Sequence, residues 1–368
     1  MHMRTLVHNA LGFMMRKRCY IAEWVVCMLL LTTCFSACCS IDDDLSDCPP
    51  DTPDEKNFEL TYELRLVTNI TTELTTQLNT TTDAQVADAL RNHLQNIFTD
   101  YARDVDLSFY NTETPQERLV HEQKVMEASE RSYTIHLPIR EYQHLAVANI
   151  NGNSVVGLNG SDRCPTAQLL TTATGETIDS HTTGLFTARQ PMTVLEGVDQ
   201  TFHVRLYMAN CASALVIDPR GHTVKDVKVY TTGFATAFNI NDSTYTFAET
   251  APLVRASSVD TNGGDLCFCS VNFPSKEESQ MKTVIETDEP FDTDESSTTF
   301  WQFKVYVTLE DGTVTETVLS IRQPLRAGQL KILKGWIGDD GDVCTHDHTV
   351  GVSVTLNWND GGHHDIDL

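Results

Sequence analysis

The strongest constraint in this sequence is a period of two. Phe58, Leu60, Tyr62, Leu64 and Leu66 alternate with Glu59, Thr61, Glu63 and Arg65. Successive side chains of an extended chain point to opposite faces, so this stretch can bury one face and wet the other, as a half-buried antiparallel strand does. The same rhythm returns at 105–110, 132–138, 142–150, 201–208, 214–217, 225–230, 244–247, 267–273, 303–309 and 313–321, and in Val350, Val352, Val354, Leu356 and Trp358. Asn151-Gly152, Asp218-Pro219-Arg220-Gly221 and Asp311-Gly312 punctuate it as turns, Gly312 because glycine accepts positive φ in a hairpin. One helix interrupts the pattern: Val86, Leu90, Leu94, Ile97 and Phe98 recur at helical spacing behind a Thr82/Gln85 capping box, and that stripe is expected to pack on a sheet. Residues 69–82, 157–184 and 275–298 read as polar loops. Many short strands without a βαβ rhythm predict a mainly β chain of antiparallel sandwiches with one short helix.

Ahead of this body stands a leader. Arg16-Lys17-Arg18 precedes the apolar run Trp24–Leu31, which continues weakly to Phe35 and is followed by Ser36-Ala37-Cys38. The run is too short to span a bilayer, which takes ~20 apolar residues, and suits a signal segment. Small residues before a cysteine form a bacterial lipobox. Cleavage between Ala37 and Cys38 would leave Cys38 as the acylated N-terminus. The basic region starts late, so Met14 or Met15 is an alternative start, and Phe35 is bulkier than the usual Leu or Val. The plainer alternatives are an ordinary signal peptide cut near Ala37, or a short buried helix.

The full chain of 368 residues carries a formal charge of −25. Removing residues 1–37 takes away four basic side chains and one acidic one, leaving 22 basic and 50 acidic. Such a surface repels nucleic acid and anionic lipid, so membrane attachment needs the lipid and not charge. Residues 38–57, with Asp42-Asp43-Asp44, Pro49-Pro50 and Pro53, cannot build a core and read as an acidic tether. The length suits two domains, at 58–210 and 211–368. Eight cysteines follow the leader: Cys38, Cys39, Cys48, Cys164, Cys211, Cys267, Cys269 and Cys344. Cys48 with Cys164 is a candidate disulfide. Cys267 and Cys269 face one side of a strand, where they are expected to be buried or to bridge elsewhere.

No constellation of catalytic residues stands out. His121-Glu122 lacks the second histidine of a zincin helix, and no G-x-S-x-G, P-loop or G-x-G-x-x-G occurs. Cys344, His346, Asp347 and His348, and His363, His364 and Asp365, match no closed zinc spacing and read as polar loops. The expectation is a non-enzyme with no cofactor and no metal. Asn69, Asn79, Asn159 and Asn241 fit glycosylation triplets by chance, given a bacterial lipobox.

Several stretches in order resemble the FimB-type fimbrial anchor family of Bacteroidetes. They are Cys38 with Ile41–Pro49, His136-Leu137-Pro138 with Glu141-Tyr142 and Val147-Ala148-Asn149, Phe202–Leu206 leading into Ala212–Ile217, and Asp311-Gly312 followed by Pro324–Gly328 and Val350–Trp358. The resemblance covers nearly all of the chain after the leader. It implies two tandem transthyretin-like β-sandwich domains. It also implies a lipoprotein of the outer membrane that seats a fimbria, limits its length and meets fimbrillin subunits by strand donation. The acidic residues after Cys38 resemble the surface-export signal of Bacteroidetes lipoproteins, or simply serve solubility. The stretch Asn359–Leu368 has little apolar alternation, which favours an anchoring over a polymerising subunit. A fimbrial stalk or tip subunit and a surface glycan-binding lipoprotein are the alternatives, the latter to be judged by Trp301, Trp336 and Trp358.

Overall fold

A computed structural model describes residues 57–67, 84–99, 102–113, 117–126, 132–151, 153–159, 166–169, 177–277 and 298–357. In chain order the first half contains β1 (Asn57–Val67), α1 (Ala84–Ile97), β2 (Asp104–Asn111), β3 (Arg118–Val125), β4 (Ser132–Pro138), β5 (Glu141–Ala148), β6 (Val156–Asn159), β7 (Thr166–Leu169), β8 (Thr177–Asp179), β9 (Phe186–Thr193) and β10 (Thr201–Met208). The second half contains β11 (Cys211–Asp218), β12 (Val224–Thr232), β13 (Ala237–Asn239), β14 (Thr244–Thr246), β15 (Leu253–Arg255), β16 (Ser257–Val259) and β17 (Leu266–Asn272). It closes with β18 (Trp301–Leu309), β19 (Val314–Ile321), β20 (Leu330–Ile337), β21 (Val343–Cys344) and β22 (Val350–Asn357).

The chain is mainly β, as the alternation predicts. A seven-stranded sheet runs β3-β2-β5-β9-β10-β1-β4, a five-stranded sheet β16-β17-β11-β20-β21, a six-stranded sheet β22-β19-β18-β12-β15-β8 and a four-stranded sheet β14-β13-β7-β6. Most neighbours are antiparallel, but β1 with β10, β11 with β20 and β15 with β8 are parallel. The four-stranded sheet and the β8 edge join strands from before and after residue 210.

Three cores hold these sheets face to face. In the first, α1 inserts Val86, Ala87, Leu90, Leu94 and Ile97 among Val105, Leu107 and Phe109 of β2 and Ala212, Ala214 and Val216 of β11. The apolar stripe of α1 therefore packs between the seven- and five-stranded sheets, at a gain of ~1.5–3 kcal/mol for each large side chain buried. In the second, the opposite face of β11 (Cys211, Leu215, Ile217) meets Phe303, Val305, Leu319 and Ile321 of the six-stranded sheet. Buried on both faces, β11 is apolar almost throughout and loses its alternation. In the third, Tyr110, Leu145 and Val147 on the outer face of the seven-stranded sheet meet Val156 and Phe238 of the four-stranded one.

One expected turn recurs. The Asp311-Gly312 hairpin joins β18 to β19 with φ of 89° at Gly312, and the Thr313 N–H donates to Asp311 Oδ1 at 2.8 Å. The end of α1 is closed by the Gly184 N–H, which donates to the Ile97 carbonyl at 2.9 Å. A Cβ on Gly184 would collide with the buried Phe98 ring. Gly184→Ala should cost ~1–3 kcal/mol, read as a lowered urea midpoint.

The expected loop at 157–184 is corrected. It holds most of β6, and all of β7 and β8, each of three or four residues. Each is too short to show a sustained period, although Val156 and Leu158 of β6 do alternate with Gly157 and Asn159, and β7 and β8 are strands because β13 and β15 supply partners. The alternation also misses β3, β9 and β20. The Thr82 cap, the loop at 69–82, residues 278–297 of the expected loop at 275–298, and Trp358 lie outside the described residues.

Candidate docking edge

Each sheet ends in two edge strands, and an edge strand leaves every second N–H and C=O without a ladder partner. Of the eight edges among the described residues five are short: β6, β8, β14, β16 and β21 have two to four residues. Of the long ones, β3 carries Arg118, Glu122 and Lys124, charges of the kind that discourage further pairing. His121 Nε2 on β3 also lies 2.8 Å from Asp106 Oδ2, tying that edge back to β2. β4 has no formal charge, but its apolar Ile135 and Leu137 are already buried and it ends at Pro138.

β22 differs from all of these. Its sequence, Val350–Asn357, has no charged residue, and β-branched residues fill half of its positions. It pairs with β19 on one side, with Val350 opposite Ile321, Val352 opposite Leu319 and Val354 opposite Thr317. Those partners are buried core residues, so Val352 and Val354 lie on the core face. Yet they are 45% and 41% exposed.

The cause is the length of the facing sheet. It reaches β19, where the Val343 N–H donates to Thr317 Oγ1 at 2.9 Å and Thr315 Oγ1 donates to the Asp340 carbonyl at 2.7 Å. There it ends in the two-residue β21, and β22 lies one strand farther out. The result is an uncharged eight-residue edge with a half-covered apolar face. Chemically it can take an added strand through main-chain hydrogen bonds, with apolar side chains covering the two valines.

Ala37, Cys38, Cys48 and Cys164 lie outside the described residues. Cys267 and Cys269 share one face of β17 and are buried in the helix-side core, while Cys211 is buried on the other side of β11. All three are free thiols. Burial pushes the Cys267 thiol up to about 12, and those of Cys211 and Cys269 higher still. Cys344, half-buried, is raised to about 11 by burial and by its 3.1 Å bond to Asp342 Oδ2. Iodoacetamide at pH 7 should therefore label none of the four quickly in the native chain and all four after denaturation, read by peptide mass.

Among the described residues no three His, Cys, Asp or Glu side chains converge as a metal site. Asp347 instead takes the Lys331 ammonium at 3.1 Å, and the His346 ring packs 4.2 Å from Trp336, which the Arg220 guanidinium also covers at 4.1 Å. Trp301 is core, its indole N–H donating to the Gln323 carbonyl at 3.1 Å, and forms no exposed platform. Sequence reasoning located β22 but not its exposure. That follows from the shortness of β21, whose two residues carry no periodic signal.

No family model and no curated protein matches the chain. Solved structures do. A candidate adhesin of Bacteroides ovatus is 10% identical, with 83% of this chain and 96% of that one covered and a TM-score of 0.45. The fimbrial anchor protein Mfa2 of Porphyromonas gingivalis is 11% identical over 82% and 98%, with a TM-score of 0.41. A candidate cell adhesion protein of Bacteroides uniformis is 9% identical over 83% and 98%, with a TM-score of 0.39.

Proposed function

We propose that this chain is a non-enzymatic outer-membrane lipoprotein that anchors a fimbria at the cell surface and limits its length. In this reading residues 1–37 are the leader, Cys38 carries the acyl chains, 38–57 are the tether, and the body is two sandwich domains, 58–210 and 211–368, with β7 and β8 of the first completing sheets of the second. The basal fimbrillin docks by strand complementation at β22. The observation that carries the reading is the uncharged β22 edge with its half-exposed Val352 and Val354. An unprotected edge of this length invites self-association unless a partner covers it. The lipobox at Cys38 and the resemblance in motif order support the attachment and the fimbrial partner.

The test is mass spectrometry of the mature N-terminal peptide after fatty-acid labelling, beside Cys38→Ala. The expected result is an acylated Cys38 in the wild type, and, in the variant, unlabelled protein with fimbriae shed into the medium. A wild-type protein with an unmodified thiol at 38 contradicts the proposal. A mature chain beginning well after Cys38 assigns it to the stalk or tip instead.

A further inference from the structure

β9 and β10 are consecutive strands, yet they pair only at Thr187 with Tyr207 and at Phe186 with Met208. Beyond that point each follows its other neighbour, β9 along β5 and β10 along β1. The divergence opens a cleft of about 760 Å³ on the outer face of the seven-stranded sheet. Arg189 of β9 and Arg205 of β10 line one side, and Phe238, Ile240 and Tyr245 of the four-stranded sheet and its turn line the other. Tyr207, 55% exposed, stands with the arginines. The Tyr245 hydroxyl is committed to the Ala209 carbonyl at 2.9 Å and its ring lies 4.6 Å from Phe238, so that wall presents aromatic surface.

The charge of this cleft runs against the chain. Acidic residues number 51 against 26 basic ones, yet among the described residues no acidic side chain lines the cleft. Neither Arg189 nor Arg205 forms an ion pair among the described residues. Arg65 occupies the register position beside Arg205 on β1. His203 also lines the cleft, with Glu63 beside it in register.

We infer that this cleft binds a carboxylated sugar. A guanidinium grips a carboxylate with two parallel N–H donors, and Arg189 and Arg205 bring two of them to one side of the cleft. A sugar ring offers an apolar C–H face, which Tyr207 or the Phe238–Tyr245 wall can cover. A lone small anion would leave most of the cleft unfilled, since pockets of ~300–1,000 Å³ suit larger ligands. An acidic peptide can use the backbone that β9 and β10 leave unpaired where they part, so tetraglutamate is the competitor in the test. The inference is independent of fimbrial anchoring.

The test is calorimetric titration of the full mature chain with trigalacturonate and with sialyllactose, beside neutral galactotriose and tetraglutamate. Saturable binding of one or both acidic sugars, and none of galactotriose, is expected; which of the two binds identifies the acid. Arg189→Gln and Arg205→Gln should each weaken it at least tenfold, Arg205→Lys and Tyr207→Ala several-fold. All three positions are exposed, so thermal melts should match the wild type. If a Gln variant melts differently, Tyr207→Ala decides. The inference is overturned if neither acidic sugar binds, if binding survives these substitutions unchanged, or if tetraglutamate binds more tightly than both sugars.

Discussion

Val352→Lys with Val354→Lys abolishes capture of a fimbrial subunit while leaving the chain folded. Both valines lie on the core face of β22 yet stay 45% and 41% exposed, so the free chain gives up little burial when they change. An incoming strand must cover that face, and two ammonium groups there would be desolvated without partners. Natural sheets use lysine on edges for this purpose. The expected loss is at least 100-fold in affinity, about 2.7 kcal/mol. Val125→Lys on β3 is the control, because Val125 is 72% exposed on an edge that already carries Arg118, Glu122 and Lys124. Binding of purified subunit to immobilised chain, with a thermal melt of each variant, makes the comparison. Equal loss in the control would show a general charge effect and remove β22 from the account.

Asn210→Ala lowers the unfolding free energy by about 2–5 kcal/mol, because it orphans two buried groups at once. Asn210 Oδ1 accepts the Leu185 N–H at 2.6 Å, and its Nδ2 donates to His181 Nδ1 at 2.8 Å. The same loop is stitched to β17 by the His181 N–H on the Val271 carbonyl at 3.0 Å and by the Val271 N–H on Ser180 Oγ at 2.8 Å. The loss should therefore appear as a global fall in the urea midpoint and not as local fraying.

Acid reads the same packing. Burial pulls His181 down to about 3 and His144, stacked on Phe109, down to about 4. Both folded values lie below the unfolded value near 6.5, so the unfolded chain takes up these protons first. Stability is thus fully present above about pH 6.5 and is lost as pH falls, down to about 4 for His144 and about 3 for His181. Each contributes a slope of ~1.4 kcal/mol per pH unit inside its window. Urea midpoints from pH 7 to 4.5 should show this slope, and His144→Leu should remove one histidine's share. Stability unchanged across that range would contradict the burial of both rings.

What the sequence made legible follows from what each element asks of its residues. β18 buries Trp301, Phe303, Val305 and Val307 and leaves Gln302, Lys304 and Tyr306 half-exposed, so its alternation is visible in the chain. α1 shows its stripe for the same reason. β3 hides because an edge strand with charges on both faces has no apolar period. β9 contains Pro191, which demotes any run read as a strand. In β20, Leu330, Leu333 and Ile337 fall as readily at helical spacing, and its strand form comes from parallel pairing with β11. β7 and β8 exist only because distant strands accept them. The β22 edge was legible as a strand, but its exposure depends on where another sheet stops. The arginine cleft had no signal at all, since Arg189 and Arg205 come to line one cleft only through the register of β9 on β10 and the early end of that pairing.

The central claim is that β22 receives a strand from a fimbrial subunit. Amide hydrogen exchange of the mature chain, with and without fimbriae sheared from the same cells, tests it most directly. The account predicts new protection across Val350–Asn357, with β3 and β4 unchanged. Exchange in β22 that stays the same in the bound chain, with protection arising at another edge, would contradict it.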